Sequence, residues 1–207
     1  INQSLPLEMQ QTNNLAKALY KQLNDSSIPL AERSQIDISF FDWRIIFTEV
    51  FDNGNDGFDI VIGNPPYIQL QNNGGILAKQ YADHGYVTFA RTGDIYCLFY
   101  ERAYQILKKN GHVCFITSNK WMRAGYGEKM RGFFAKYTNP LLLIDFAGVK
   151  IFESATVDTN ILLYSKSENE HKTICTVTNK HGKDSINNLS DFVKQQQTVC
   201  DFSSSDS

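Results

Sequence analysis

The sequence predicts an α/β chain that forms half of a doubly wound, three-layer α/β/α sheet. Three observations predict it. Residues 58–63, Phe-Asp-Ile-Val-Ile-Gly, form a short β-branched run of the kind found in strands buried on both faces of a parallel sheet. Similar runs at 112–117, 141–145 and 159–165 alternate with segments of helical periodicity. The resulting order, β-α-β-α-β-β, is that of a doubly wound half-sheet.

Composition narrows the function classes. The 207 residues carry 20 basic and 22 acidic side chains, a net charge of −2, which excludes a domain that grips phosphate by bulk positive charge. At 42% apolar and 13% aromatic, the chain has ample material for a core and is not a disordered segment. No apolar run approaches the ~18 residues of a membrane span, and no secretory leader opens the chain. Cys97, Cys114, Cys175 and Cys200 have neither zinc-site nor disulfide-scaffold spacing and read as reduced thiols, so no metal site and a cytoplasmic location are expected. The start at Ile1 and the polar run 203–207 read as the ends of a piece of something longer.

The elements follow in order. Leu15, Ala18, Leu19 and Leu23 recur at helical spacing, and Asn24 to Pro29 ends that helix. Residues 40–47 read as strand and loop, and 52–57 as an Asn/Asp/Gly turn. The strand 58–63 stops at Asn64-Pro65-Pro66-Tyr67, because proline cannot continue a central strand. Residues 68–92 read as a long polar loop. Asp94 is the expected N-cap of a helix whose stripe is Ile95, Leu98, Phe99, Ala103, Ile106 and Leu107. Lys108 and Lys109 suit its C-terminus and Gly111 its stop. A strand at 112–117 ends in Ser118-Asn119-Lys120-Trp121, a helix at 128–137 stops near Pro140, and strands follow at 141–145 and 159–165. Residues 167–207 read as a linker or the start of a following domain, with a strand near 173–178 and a helix near 191–197.

Asn64-Pro65-Pro66-Tyr67 lies where ligands bind in open α/β sheets, just past a strand's carboxyl end. Its chemistry suits an amine whose lone pair is delocalised into an aromatic ring. Two acceptors on the amine's hydrogens localise that pair and aim it at an electrophile. The Asn64 side-chain oxygen is one acceptor and the Pro65 carbonyl the other. Consecutive prolines fix both φ angles, so the carbonyl is held before substrate arrives. Tyr67 offers a face on which a base can stack. No catalytic pKa is needed, only orientation and preorganised dipoles.

These residues carry a resemblance. Residues 58–67 resemble motif IV of the amino-group DNA methyltransferases. Phe41-Asp42-Trp43, Gly93-Asp94-Ile95-Tyr96, Ser118-Asn119-Lys120-Trp121 and Ile151-Phe152-Glu153-Ser154-Ala155-Thr156-Val157 are similar to segments of the large adenine-specific methyltransferases of type II restriction-modification systems. The resemblance spans about residues 38–166. It implies a Rossmann-like methyltransferase domain there, preceded by a helical segment or insertion at 1–37. It also implies S-adenosyl-L-methionine as cofactor and methyl transfer to the exocyclic amine of an adenine flipped from duplex DNA. Catalytic roles fall to Asn64, Pro65, Pro66 and Tyr67, and target-base stacking to Tyr67 and Phe152. Cofactor contacts fall to Asp42 and Asn64. Lys79, Arg91, Lys120 and Arg123 are candidate phosphate contacts or solvated surface, and Trp121 is a site residue or core. The family's glycine-rich cofactor loop is not visible here. The chain is therefore expected to be the C-terminal half of a methyltransferase domain, inactive alone, with DNA reached through the parent protein. The resemblance places a target-recognition domain after residue 207 and leaves open whether a nuclease shares the polypeptide. A protein-glutamine methyltransferase, cytosine as the target base, and a non-catalytic DNA-binding or interaction fragment remain alternatives.

Overall fold

The computed structural model describes residues 43–51, 54, 56–147, 149–152, 157–178 and 188–203. The helix read around Leu15, and Asp42, lie outside the described residues. The chain divides into two units, Ile1–Gly57 and Phe58–Ser207. In the first, α1 (Trp43–Ile46) and α2 (Thr48–Phe51) correct the reading of strand and loop. The Phe47 amide donates to the Trp43 carbonyl at 2.9 Å, and the two rings stack at 5.6 Å, a pairing that helical spacing makes available.

Among the described residues the second unit is built on a mixed sheet of six strands in the order β1-β2-β4-β3-β5-β6. Its strands are β1 (Phe58–Gly63), β2 (Leu107–Ser118), β3 (Asn139–Asp145), β4 (Thr159–Ser165), β5 (Thr173–Val177) and β6 (Thr198–Cys200). β1 runs parallel to β2, and β3 runs parallel to β5. β4 lies antiparallel between β2 and β3, which leaves β1, β2 and β3 pointing the same way. Among the described residues its helices are α3 (Asn72–Tyr81), α4 (Ile95–Ile106), α5 (Gly127–Tyr137) and α6 (Leu189–Gln196). α4 and α5 share one core with the strands: Tyr96, Tyr100, Phe133 and Phe134 pack with Val113, Phe115, Leu162 and Tyr164.

Four sequence readings are corrected. β1 is not a strand buried on both faces. It is the sheet's edge among the described residues, with Ile60 and Ile62 64% and 77% exposed. The apolar pattern reports the strand but not its neighbours. The stretch 68–92 is not all loop. It contains α3, whose first turn carries left-handed φ angles of 53°, 71° and 73° at Asn73, Gly74 and Gly75. Those residues hide a helix whose Ala78 packs on Leu70 and Leu98.

α4 stops at Ile106 rather than at the lysines. Leu107 turns extended, is fully buried and pairs with Phe58, so burying it outweighs one more helical turn. Lys108 then forms an ion pair with Asp59 of β1. Gly111 lies within β2, where a Cβ would stand 2.9 Å from the Phe58 carbonyl oxygen. Finally, Pro140 does not stand outside the strand. It sits near the start of β3 opposite Tyr164, and the register shifts between Pro140 and Leu142, as a residue without an N–H requires.

Gly127 opens α5 where the chain has no room for a side chain. A Cβ there would stand 1.8 Å from the Trp121 carbonyl oxygen and 2.6 Å from its carbon, both backbone atoms. Gly127→Ala is therefore expected to cost about 1–3 kcal/mol, the usual range for overpacking. Urea denaturation checks this; an unchanged midpoint would contradict it.

Candidate active site

Because β1, β2 and β3 are parallel, their carboxyl ends meet at one edge of the sheet. β1 delivers Asn64 to Tyr67. β2 delivers Ser118 and the single 3-10 turn Asn119–Met122. β3 delivers Asp145, and β4 enters from the same edge with Thr159 and Asn160. The two prolines end β1, and Pro65 is buried while Asn64 and Pro66 are exposed.

Tyr67 organises the turn. Its hydroxyl donates to Asn64 Oδ1 at 3.2 Å and reaches the Ile116 carbonyl at 3.4 Å. The Asn64 amide is thus oriented by its own motif, with a second lone pair on Oδ1 left for an incoming donor. The Tyr67 ring meets Tyr96 edge-on at 6.1 Å and 83°. Tyr96 in turn shares a 2.8 Å hydroxyl hydrogen bond with Tyr126.

The β2 turn is pinned from several sides. Ser118 Oγ accepts from the Lys120 amide at 3.3 Å, and Asn119 Nδ2 donates to Asp145 Oδ1 at 2.8 Å. Trp121 is 1% exposed, and its indole N–H donates to Asn160 Oδ1 at 3.2 Å. Thr117 Oγ1 donates to that same oxygen at 3.2 Å. Arg131 donates to the Trp121 carbonyl at 2.8 Å and to Ala124's at 3.3 Å.

Burial, then the Asp94 charge, push the Tyr67 phenol above its usual value. Burial does the same to Tyr96 and Tyr126. All three stay protonated at neutral pH, so Tyr67 is a hydroxyl donor and a flat face, not a base. Asn64 and the Pro65 carbonyl are acceptors with no nucleophilic or acidic atom among them. This arrangement can hold and polarise an N–H₂ group beside a stacking ring.

The structure brings Asn64, Pro65, Pro66 and Tyr67 together as one turn. Phe152 is half-buried in the connection between β3 and β4; among the described residues no ring contact joins it to Tyr67. Asp42 lies outside the described residues. Lys79, Arg91, Lys120 and Arg123 are exposed. Trp121 is core and site support at once. Sequence reasoning missed the role of Tyr126, which sits between two glycines without periodicity, and of Asn160, whose only signal is a polar residue at the head of an apolar strand. Cys97, Cys114, Cys175 and Cys200 are free thiols. Among the described residues no helix is long and apolar enough to cross a membrane.

Asp94 carries a pH signature. Burial raises its carboxyl above the usual value, against hydrogen bonds from the Ile68, Tyr96 and Ile95 amides and the Lys120 charge. Tyr67, Tyr126 and Cys97 also feel it, all as neutral groups. The folded chain therefore binds this proton more tightly than the unfolded one. The stability it brings is complete below the unfolded value and is lost as pH rises through the folded one. Asp94→Asn removes this titration. Its stability relative to the parent is expected to rise as pH climbs from about 3.9, the ordinary aspartate value. Urea midpoints across pH check the sign; a difference that is flat or falls would contradict it.

With this geometry in hand, the chain's relatives can be placed. A family model described as Eco57I restriction-modification methylase matches residues 3–152. The type II restriction enzyme and methyltransferase RM.Eco57I of Escherichia coli is 29% identical over 123 residues, 58% of this chain and 12% of that protein. The type II methyltransferase M.BstVI of Geobacillus stearothermophilus is 26% identical over 139 residues, 67% of this chain and 24% of that protein. The chain thus spans less than a quarter of either relative. Among solved structures, the methyltransferase subunit of a type I restriction-modification system from Streptococcus thermophilus superposes with a TM-score of 0.52 at 16% identity, covering 73% of this chain and 36% of that one. That likeness shows the Rossmann-like α/β fold. The family match covers well over half of the sequence and includes the Asn-Pro-Pro-Tyr turn and the strands that carry it: the chain belongs to the Eco57I restriction-modification methylase family.

Proposed function

We propose that this chain is the target-amine half of an adenine-specific DNA methyltransferase of a restriction-modification enzyme. The protein containing it uses S-adenosylmethionine and acts on an adenine flipped out of double-stranded DNA, in the cytoplasm. The observation that carries this reading is the turn itself: an exposed Asn64 amide, oriented by the Tyr67 hydroxyl at 3.2 Å, beside a proline carbonyl at a parallel strand's end.

When bound, S-adenosylmethionine would supply an electrophilic methyl carbon on a sulfonium, whose C–S bond would break as the N–C bond forms, with the neutral thioether as leaving group. The residues present fit such a group: Asn64, the Pro65 carbonyl and a protonated Tyr67 hold no nucleophile of their own to intercept it. Asn64 stands exposed where the resemblance puts a cofactor contact, and Asp42 is proposed as another. Asn64 Oδ1 and the Pro65 carbonyl accept the two amine hydrogens of adenine. The amine nitrogen then rehybridises toward a tetrahedral geometry, and its lone pair becomes available for the new N–C bond. As that bond forms the nitrogen gains positive charge, which the two oxygens stabilise in place, and one of the held protons is then released to water. Tyr67 supports the base from one side and Phe152 from the other, which offsets part of the few kcal/mol of unstacking.

The test uses the intact protein that contains this chain, an adenine-bearing duplex and labelled methyl donor. Asn64→Ala is expected to lower kcat by about 10²-fold or more, as loss of one preorganised dipole does elsewhere. Cofactor affinity is expected to fall far less than kcat, since Asn64 is one of two amine acceptors but only one of several cofactor contacts. Equal turnover of variant and parent would remove the role of Asn64. Tyr67→Phe keeps the stacking face and loses the hydroxyl, so turnover is expected to fall by about tenfold at most, the worth of one neutral hydrogen bond.

A further inference from the structure

We infer that Asp94 is a positioning residue for the catalytic turn: its carboxylate holds the amide that follows Tyr67, a role separable from its capping of α4. The inference rests on the methyltransferase reading above and extends it to a residue outside the Asn-Pro-Pro-Tyr motif.

Asp94 stands at the N-cap of α4, and capping alone would aim its carboxylate at the helix's first free amides. The distances rank its partners otherwise. Oδ1 accepts from the Ile68 amide at 2.9 Å and from the capped Tyr96 amide at 3.4 Å. The closer partner is 26 residues away in the chain. A short ladder surrounds this bond. The Ile95 amide donates to the Ile68 carbonyl and the Leu70 amide to the Gly93 carbonyl, both at 2.9 Å, and Gln69 and Asp94 form an antiparallel bridge. Asp94 is 9% exposed, so water competes little for the carboxylate.

The turn needs such a strap at one particular place. Proline rings fix φ at Pro65 and Pro66, but nothing in the motif fixes the peptide plane after Tyr67. That plane is the one whose N–H Asp94 binds. Holding it sets the direction of Tyr67, and the Tyr67 hydroxyl sets Asn64. A charged acceptor makes a stronger bond to an amide than a neutral one. The helix α4 therefore transmits its own position to the acceptor pair through one carboxylate.

Asp94→Ser separates the two roles. Serine is as good an N-cap as aspartate, but its oxygen sits one bond closer to the backbone and cannot also span to Ile68. Two readouts are taken on the intact protein. The first is amide exchange, which needs no activity. Asp94→Ser is expected to speed exchange in peptides covering residues 67–71 by about tenfold, with α4 peptides exchanging as in the parent. The second is methyl transfer, with kcat falling by about tenfold or more and KM for DNA within about twofold. Asp94→Asn keeps the acceptor at full reach and is expected to rescue both to within about threefold. Unchanged exchange at 67–71 in Asp94→Ser would overturn the inference. So would loss of α4 protection in the same variant, which would make the cap and the strap one role. Faster exchange with unchanged kcat would overturn the positioning role. If the parent transfers no methyl group, the methyltransferase reading falls by itself, and the exchange data still decide whether Asp94 holds the turn.

Discussion

The Tyr100 side chain is the tie on which the second unit depends. It is fully buried, and its ring meets Phe115 of β2 at 5.0 Å and Phe134 of α5 at 5.2 Å. Its hydroxyl shares a 3.1 Å hydrogen bond with Thr117, one residue before β2 ends, and its carbonyl accepts from the Tyr164 hydroxyl of β4 at 2.7 Å. One residue thus registers α4 against two strands and a second helix. A buried tyrosine must satisfy its hydroxyl, so α4 has little freedom to slide along the sheet. With α4 fixed, Asp94 at its head is fixed, and the turn that ends β1 is tied to it through Ile68.

Thr117 carries the same constraint to the other side of the site. It links Tyr100 to Asn160, whose oxygen also receives the Trp121 indole. The Asn160 amide nitrogen is buried with no hydrogen-bond partner, as is Thr159 Oγ1. Two unsatisfied groups on successive residues at the start of β4 cost stability at the sheet end that carries the candidate site. Among the described residues, the turn around Asn64 is held by hydrogen bonds, one of them the strap from the Ile68 amide to the Asp94 carboxylate, and by aromatic packing rather than by ion pairs. That suits the proposed task of holding an amine and stabilising a brief positive charge without supplying a competing nucleophile.

What was legible in the sequence follows local rules. The β-branched run 58–63, halted by Pro65, reads as a strand delivering a turn, because both signals lie within a few residues. The capping of α4 by Asp94 is legible for the same reason. The edge position of β1 is not, because strand neighbours are chosen by tertiary pairing and the same apolar run suits either place. α3 escapes because Asn73, Gly74 and Gly75 mask its start. Pro140 misleads because a proline near a strand's first residue and a proline after a helix look alike in sequence. The longer reach of Asp94 to Ile68, and the Tyr96–Tyr126 bond, join residues far apart in the chain, and no periodicity announces them. The proposed acceptor pair rests on residue chemistry that the sequence displays; the framework around it rests on long-range contacts that it does not.

The central claim is that Asn64 and Pro65 hold the exocyclic amine of adenine. The most direct measurement gives the intact protein methyl donor, a duplex containing all four bases and a glutamine-bearing peptide in one reaction. The products are then digested and identified by mass spectrometry. The account predicts methyl groups on the exocyclic amine of adenine and on nothing else. Methylated cytosine or methylated glutamine with unmodified adenine would contradict it.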